Sequence, residues 1–269
     1  MSTLTPDRTS VPAPRRVTRA AIPQRTLRRD RWWLAPTVTV VVLGGFVVYG
    51  TWAAFRNSGY YADPYISPFY SPCLTDSCPT GAGPSVLGGI WPWSPALLIL
   101  AFPLGFRLTC YYYRKAYYRS FWQSPPACAV AEPHKRYTGE SRFPLILQNV
   151  HRYFFYISIP FALILIYHAF RAFDFPGGIG IGVGTLVLLV NAAFISLYTA
   201  SCHSCRHLCG GGLKQFSRAP RRYKLWRAVS VLNKRHMQLA WASLLWIAFA
   251  DFYIWLVATG RIHDFHWVF

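Results

Sequence analysis

Acidic side chains are scarce in this chain. Nine Asp and Glu stand against 28 Lys and Arg, for a formal net charge of +19. All charged residues together make up only 14% of the 269 positions, where soluble domains carry roughly 25%. Long polar stretches are missing too: no loop between apolar runs exceeds about 35 residues, which leaves no room for a separate soluble domain. No internal repeat of the kind that builds duplicated transporters is evident.

What fills the chain instead is apolar and aromatic, 53% and 17% respectively. Several apolar runs pass 18 residues, the length that crosses a bilayer as a helix. The expectation is an all-α integral membrane bundle of five transmembrane helices, at residues 34–55, 93–112, 145–170, 179–201 and 236–259. The basic excess by itself would suit nucleic acid. Here the Lys and Arg fall in alternate loops, as the positive-inside rule requires, and no nucleic-acid motif is present. The bilayer is therefore the expected partner, with the amino terminus cytoplasmic and the carboxyl terminus outside. Residues 1–33 hold eight arginines and no apolar periodicity. They read as a disordered basic cytoplasmic tail rather than a cleaved signal, ahead of a membrane domain over 34–269.

The loop at 56–90 has little basic charge and is expected outside. Cys73 and Cys78 lie in it, as a disulfide or as free thiols. Asp251, near the outer end of the last helix, is expected to reach water.

The most reactive stretch is Cys-His-Ser-Cys-Arg-His-Leu-Cys-Gly-Gly-Gly at 202–212. Thiols and imidazoles packed this closely suit iron or zinc rather than magnesium or calcium. On a helix Cys202, Cys205 and Cys209 share one face while His203 and His207 share another. One helix cannot aim all five at a single centre. Either the segment unwinds before Gly210 or a second segment contributes ligands. The candidates there are Cys110, Cys128 and His134, which also fall on the cytoplasmic side. Cys205-Arg-His207 is one half of the pattern of a mixed Cys/His [2Fe–2S] centre of Rieske type. The expected ligands are thus Cys202, His203, Cys205 and His207 with Cys110, Cys128 and His134, while Cys209 is left to packing. Zinc bracing the loops is one alternative. Haem b held by His151 with His203 or His236 is another. A transporter would need broken helices and buried ionisable groups, for which only Asp251 and the glycines opening the fourth span speak.

Three stretches resemble the membrane-anchor subunit of the actinobacterial five-helix succinate dehydrogenases. They are Leu108 to Trp122 (LTCYYYRKAYYRSFW), Pro125 to Pro133 (PPACAVAEP) and Ser201 to His207 (SCHSCRH). Arg221-Arg-Tyr and Leu232-Asn-Lys-Arg-His-Met fit as well, so the resemblance covers about residues 30–260. It implies a subunit of a succinate:quinone oxidoreductase in the plasma membrane. The implied partners are a flavoprotein that oxidises succinate, an iron–sulfur protein on the cytoplasmic face, and menaquinone as acceptor; a further small membrane subunit stays open. A quinone headgroup needs hydrogen-bond donors at the edge of an apolar pocket. His151, Arg152 and Tyr153 on the third span and His236 and Trp241 on the fifth are the expected donors.

Overall fold

The computed structural model describes residues 28–130, 133, 141–143 and 145–269. His134 and most of the basic tail lie outside the described residues.

Helix α1, Leu34–Phe55, is 22 residues long. At 1.5 Å per residue that is roughly 33 Å, enough for the bilayer's hydrocarbon core. It is apolar all round, and Val41, Val47 and Val48 stay more than 60% exposed within the chain. Only lipid or another chain satisfies such a surface. Helices α4 (His151–Arg171), α5 (Val183–Ala200) and α8 (His236–Ala258) are the other long apolar helices.

The second apolar run departs from expectation. It is helical as α2 only over Pro95–Thr109. Cys110 then takes an extended conformation, and α3, Tyr111–Ser120, leaves at 74° to α2. The reason lies in the sequence of α3, which mixes tyrosines with Arg114, Lys115 and Arg119. Such a helix is more stable along a membrane surface than through it. Among the described residues, four helices are long and apolar enough to cross a membrane, or five if the bent α2–α3 pair is one span. Where α2 meets α4 the packing is close: a Cβ on Gly105 would stand 2.2 Å from the ring of Phe154. Glycine at a helix crossing permits that approach.

The basic loop after α5 is not irregular. It folds into α6, His203–Gly210, and α7, Pro220–Asn233. The opposite end of the bundle carries two small sheets, so the fold is not purely helical. Strands β1 (Tyr61–Ala62) and β2 (Tyr65–Ile66) form a hairpin. Strands β3 (Asp174–Phe175), β4 (Gly178–Gly182) and β5 (His266–Val268) form an antiparallel sheet in that order. The fourth span thus begins at Val183 and not at 179, because the Gly-Ile-Gly-Ile-Gly run pairs as a strand with the chain's last residues. Cys73 and Cys78 are joined as a disulfide at this end.

Asp251 does not reach water. Its side chain is fully buried, paired with Arg56 and bonded by the hydroxyls of Tyr49 and Ser67. A carboxyl this deep in apolar packing is stable only with such partners.

Candidate thiol and imidazole site

At the basic end of the bundle, one packed cluster contains Phe106, Cys110, Tyr113, Phe155, Tyr198, Cys202, Ala240 and Leu244, all buried. Two cysteines and two histidines meet there. His151 Nε2 lies 3.1 Å from Cys202 Sγ. His236 Nε2 lies 3.3 Å from Cys110 Sγ. Phe106 and Tyr198, the rings against the two histidines, are themselves 5.3 Å apart between centroids.

Local structure explains the placement. Cys110 is the residue before α3 and Cys202 the residue before α6, both with extended backbone. The sulfur of Cys202 accepts the backbone N–H of Ser204 at 3.4 Å. Cys110 likewise stands just before the first turn of α3, whose backbone N–H groups have no partner within the helix. Free N–H groups of a first helical turn favour negative charge at that position. Burial opposes them and pushes the Cys202 thiol up to about 11. The histidines come from the first residues of α4 and α8. His151 stacks on Phe106 at 5.0 Å and His236 on Tyr198 at 5.1 Å between ring centroids. Arg107 closes the side toward α8. It donates to Tyr113 Oη at 2.7 Å and Ser243 Oγ at 3.1 Å, and lies 4.7 Å over the Tyr198 ring.

Of the remaining candidates, Cys205 and Trp241 pack against the edge of this cluster, and the others lie further out. Helix α6 continues through Gly210 without unwinding, so the helical faces diverge as the spacing requires. Cys205 is half-buried beside Cys209, one turn on, and burial with that second thiol raises it to about 11. His203 and His207 are exposed on the other face, with ring centroids 6.0 Å apart. His207 Nδ1 stands 3.4 Å from the Arg152 guanidinium. Cys128 is exposed, its carbonyl accepting from Arg28. Arg152 and Tyr153 are exposed, while Trp241 donates to Tyr112 Oη at 2.6 Å. His151 and His236, expected at quinone, lie against the two buried thiols. Among the described residues no three His, Cys, Asp or Glu side chains are grouped as ligands of a single metal ion.

Next to the cluster lies an apolar cavity of about 440 Å3 between α1, α2, α4 and α5. Phe46, Phe69, Leu100 and Phe161 line it, and Arg107 and Tyr198 border it on the thiol side.

Fold and site together define a multi-pass helical membrane protein with a buried thiol–imidazole site at its basic end. Residues 34–260 match the family described as actinobacterial succinate dehydrogenase subunit SdhC. The chain is also similar to a chain of the Mycobacterium smegmatis Sdh1 complex in the apo form. The two are 54% identical, with a TM-score of 0.86 over 91% of this chain and 95% of that one. No curated protein matches. The chain belongs to the actinobacterial SdhC family, and is a membrane subunit of a succinate dehydrogenase in the bacterial plasma membrane.

Proposed function

We propose that this subunit carries electrons through the thiol–imidazole site to menaquinone, and docks a flavoprotein and an iron–sulfur subunit at its basic end. In this reading the basic end is cytoplasmic, the bent α2–α3 pair counts as the fifth span, and the disulfide end faces outward. The alternation of basic loops supports that orientation.

The observation that carries the proposal is the donor set itself. Two thiols and two imidazoles from four different helix ends converge in one buried cluster. That composition suits a [2Fe–2S] cluster with mixed ligation, which supplies one-electron transfer when bound. The fit lies in the donors and their supports; each thiol here contacts an imidazole directly. Cys110 and Cys202 would hold iron as thiolates, aided by the N–H groups of the helices that follow them. His151 and His236 would complete the set. Arg107, Tyr113 and Tyr198 exclude water from the site. Haem b asks for imidazoles on opposite faces of a flat macrocycle, whereas both Nε2 atoms here abut sulfur. The cavity beside Arg107 and Tyr198 suits a quinone better than the exposed Arg152 and Tyr153 do, because it offers apolar walls with polar groups at one edge.

The test is compositional and spectroscopic. Purified complex should contain iron and acid-labile sulfide beyond what its soluble subunits hold, with a reduced electron-resonance signal of low average g. Haem without surplus sulfide, or zinc alone, overturns the proposal.

A further inference from the structure

The two halves of the site are built from one short pattern used twice. Phe106-Arg-Leu-Thr109-Cys110 ends α2, and Tyr198-Thr-Ala-Ser201-Cys202 ends α5. Each reads aromatic, two spacers, hydroxyl, cysteine. In each, the aromatic ring stacks on one histidine and the hydroxyl bonds the Nδ1 atom of that same histidine. Phe106 and Thr109 clamp His151, with Thr109 Oγ1 at 2.9 Å. Tyr198 and Ser201 clamp His236, with Ser201 Oγ at 2.7 Å. The cysteine of each pattern faces the histidine clamped by the other: Cys110 meets His236 and Cys202 meets His151.

The hydroxyls decide which nitrogen carries the proton. A hydroxyl has one hydrogen to give, and a backbone carbonyl can only accept. Thr109 Oγ1 gives its hydrogen to the Gly105 carbonyl at 2.7 Å, and Ser201 Oγ gives its own to the Tyr198 carbonyl at 2.8 Å. Toward the imidazoles both oxygens must therefore accept. Each Nδ1 is then the protonated nitrogen, and each Nε2 presents a lone pair to the opposing thiol. Thr109 is 4% exposed and Ser201 is fully buried, so water does not compete for either bond.

We propose that Thr109 and Ser201 are positioning residues that fix His151 and His236 as Nδ1–H tautomers, so that both ligate iron through Nε2. The inference rests on the reading that these histidines hold a mixed-ligand cluster. It adds the ligating atom and the residues that select it. A hydrogen-bonded second nitrogen is the usual device for orienting a ligating imidazole. Here it comes from the residue just before each cysteine, so one dipeptide places a thiol against one histidine and sets the tautomer of the other. A consequence is that neither imidazole has an N–H left to offer quinone.

The experiment uses the assembled complex grown with histidine labelled by nitrogen-15 at Nε2 only or at Nδ1 only. In the reduced complex the Nε2 label should carry the strong hyperfine coupling and the Nδ1 label the weak one. Thr109→Ser and Ser201→Thr should keep that spectrum. Thr109→Val and Ser201→Ala should keep the iron content but change the g values. Strong coupling from the Nδ1 label overturns the tautomer assignment and leaves the cluster reading standing. So does an unchanged spectrum in the Thr109→Val, Ser201→Ala double variant. A complex with no surplus iron–sulfur signal overturns the cluster reading and Nε2 ligation together. Nitrogen-15 NMR of the same samples then reads the tautomers directly, and Nε2–H at either histidine overturns the hydroxyl assignment as well.

Discussion

Arg56, just past the end of α1, holds Asp251 of α8 through two guanidinium nitrogens, Nη2 at 2.9 Å and Nη1 at 3.2 Å. The carboxyl is fully buried and the Arg56 side chain only 5% exposed. This pair ties the first helix to the last at the disulfide end, while the thiol–imidazole cluster ties α2, α4, α5 and α8 at the other. The guanidinium is itself wedged against Trp52 and Trp255.

Arg56→Leu leaves the buried carboxyl without its counter-charge. Breaking a buried pair from one side costs about 3–5 kcal/mol. The unfolding midpoint of the detergent-solubilised complex should fall accordingly, with Arg56→Lys in between because it keeps charge but loses the two-pronged contact. Replacing both Arg56 and Asp251 by apolar residues should recover much of the loss. A midpoint untouched by Arg56→Leu would show that the pair contributes nothing to stability.

Orientation is open to chemical labelling. A membrane-impermeant thiol reagent applied to intact cells should reach Cys78, the less buried member of the disulfide, only after reduction. It should not reach Cys128, which is exposed at the basic end. Labelling of Cys128 from outside would reverse the topology.

The long helices were legible because hydropathy alone determines them: α1 and α8 begin where the apolar runs do. The bend at Cys110 was not, since nothing at that position breaks an apolar run; it follows from α3 preferring the interface. The Gly-Ile alternation of β4 reads as apolar helix until the chain's last strand is placed beside it. Pairing of thiol with histidine was hidden for a different reason. His151 meets Cys202 across 51 positions and His236 meets Cys110 across 126, and helix packing rather than local spacing decides such contacts. Within the dense stretch 202–209, Cys205 reaches only the edge of the buried cluster and His207 is exposed on the other face of α6. The repeated aromatic–hydroxyl–cysteine pattern was visible in principle, though five residues are too few to stand out before the fold gives them a shared task.

Serine substitutions separate the two kinds of cysteine. Cys110→Ser and Cys202→Ser should each abolish the surplus iron–sulfur signal and quinone reduction, while succinate oxidation with a soluble artificial acceptor continues. Cys205→Ser and His207→Ala should retain the signal, because these side chains lie outside the four-residue cluster. Loss of the signal on Cys205→Ser, with assembly intact, would return the ligand set to the α6 helix.

The cavity beside the site permits a test in which stability and function move apart. Gly50 lies on α1 and lines the cavity. A Cβ added there meets only Phe69 at 3.8 Å and Phe46 at 3.9 Å, ordinary contact distances. A larger side chain at this position therefore grows into the open space rather than into packed neighbours. Glycine inside a helix is also unfavourable by roughly 0.5–1 kcal/mol relative to alanine. Gly50→Leu should leave the unfolding midpoint unchanged or raised, while filling part of the volume a quinone would need. If quinone occupies the cavity, reduction of menaquinone by the assembled complex should fall at least tenfold, the effect of a loss of about 1.4 kcal/mol or more in transition-state stabilisation. Activity with the soluble acceptor and the iron–sulfur signal should both persist. Gly50→Ala, which adds a single methyl group, should act weakly in the same direction. Full quinone activity in Gly50→Leu would mean that the cavity holds a lipid chain or nothing at all, and would move the headgroup back toward the exposed Arg152 and Tyr153.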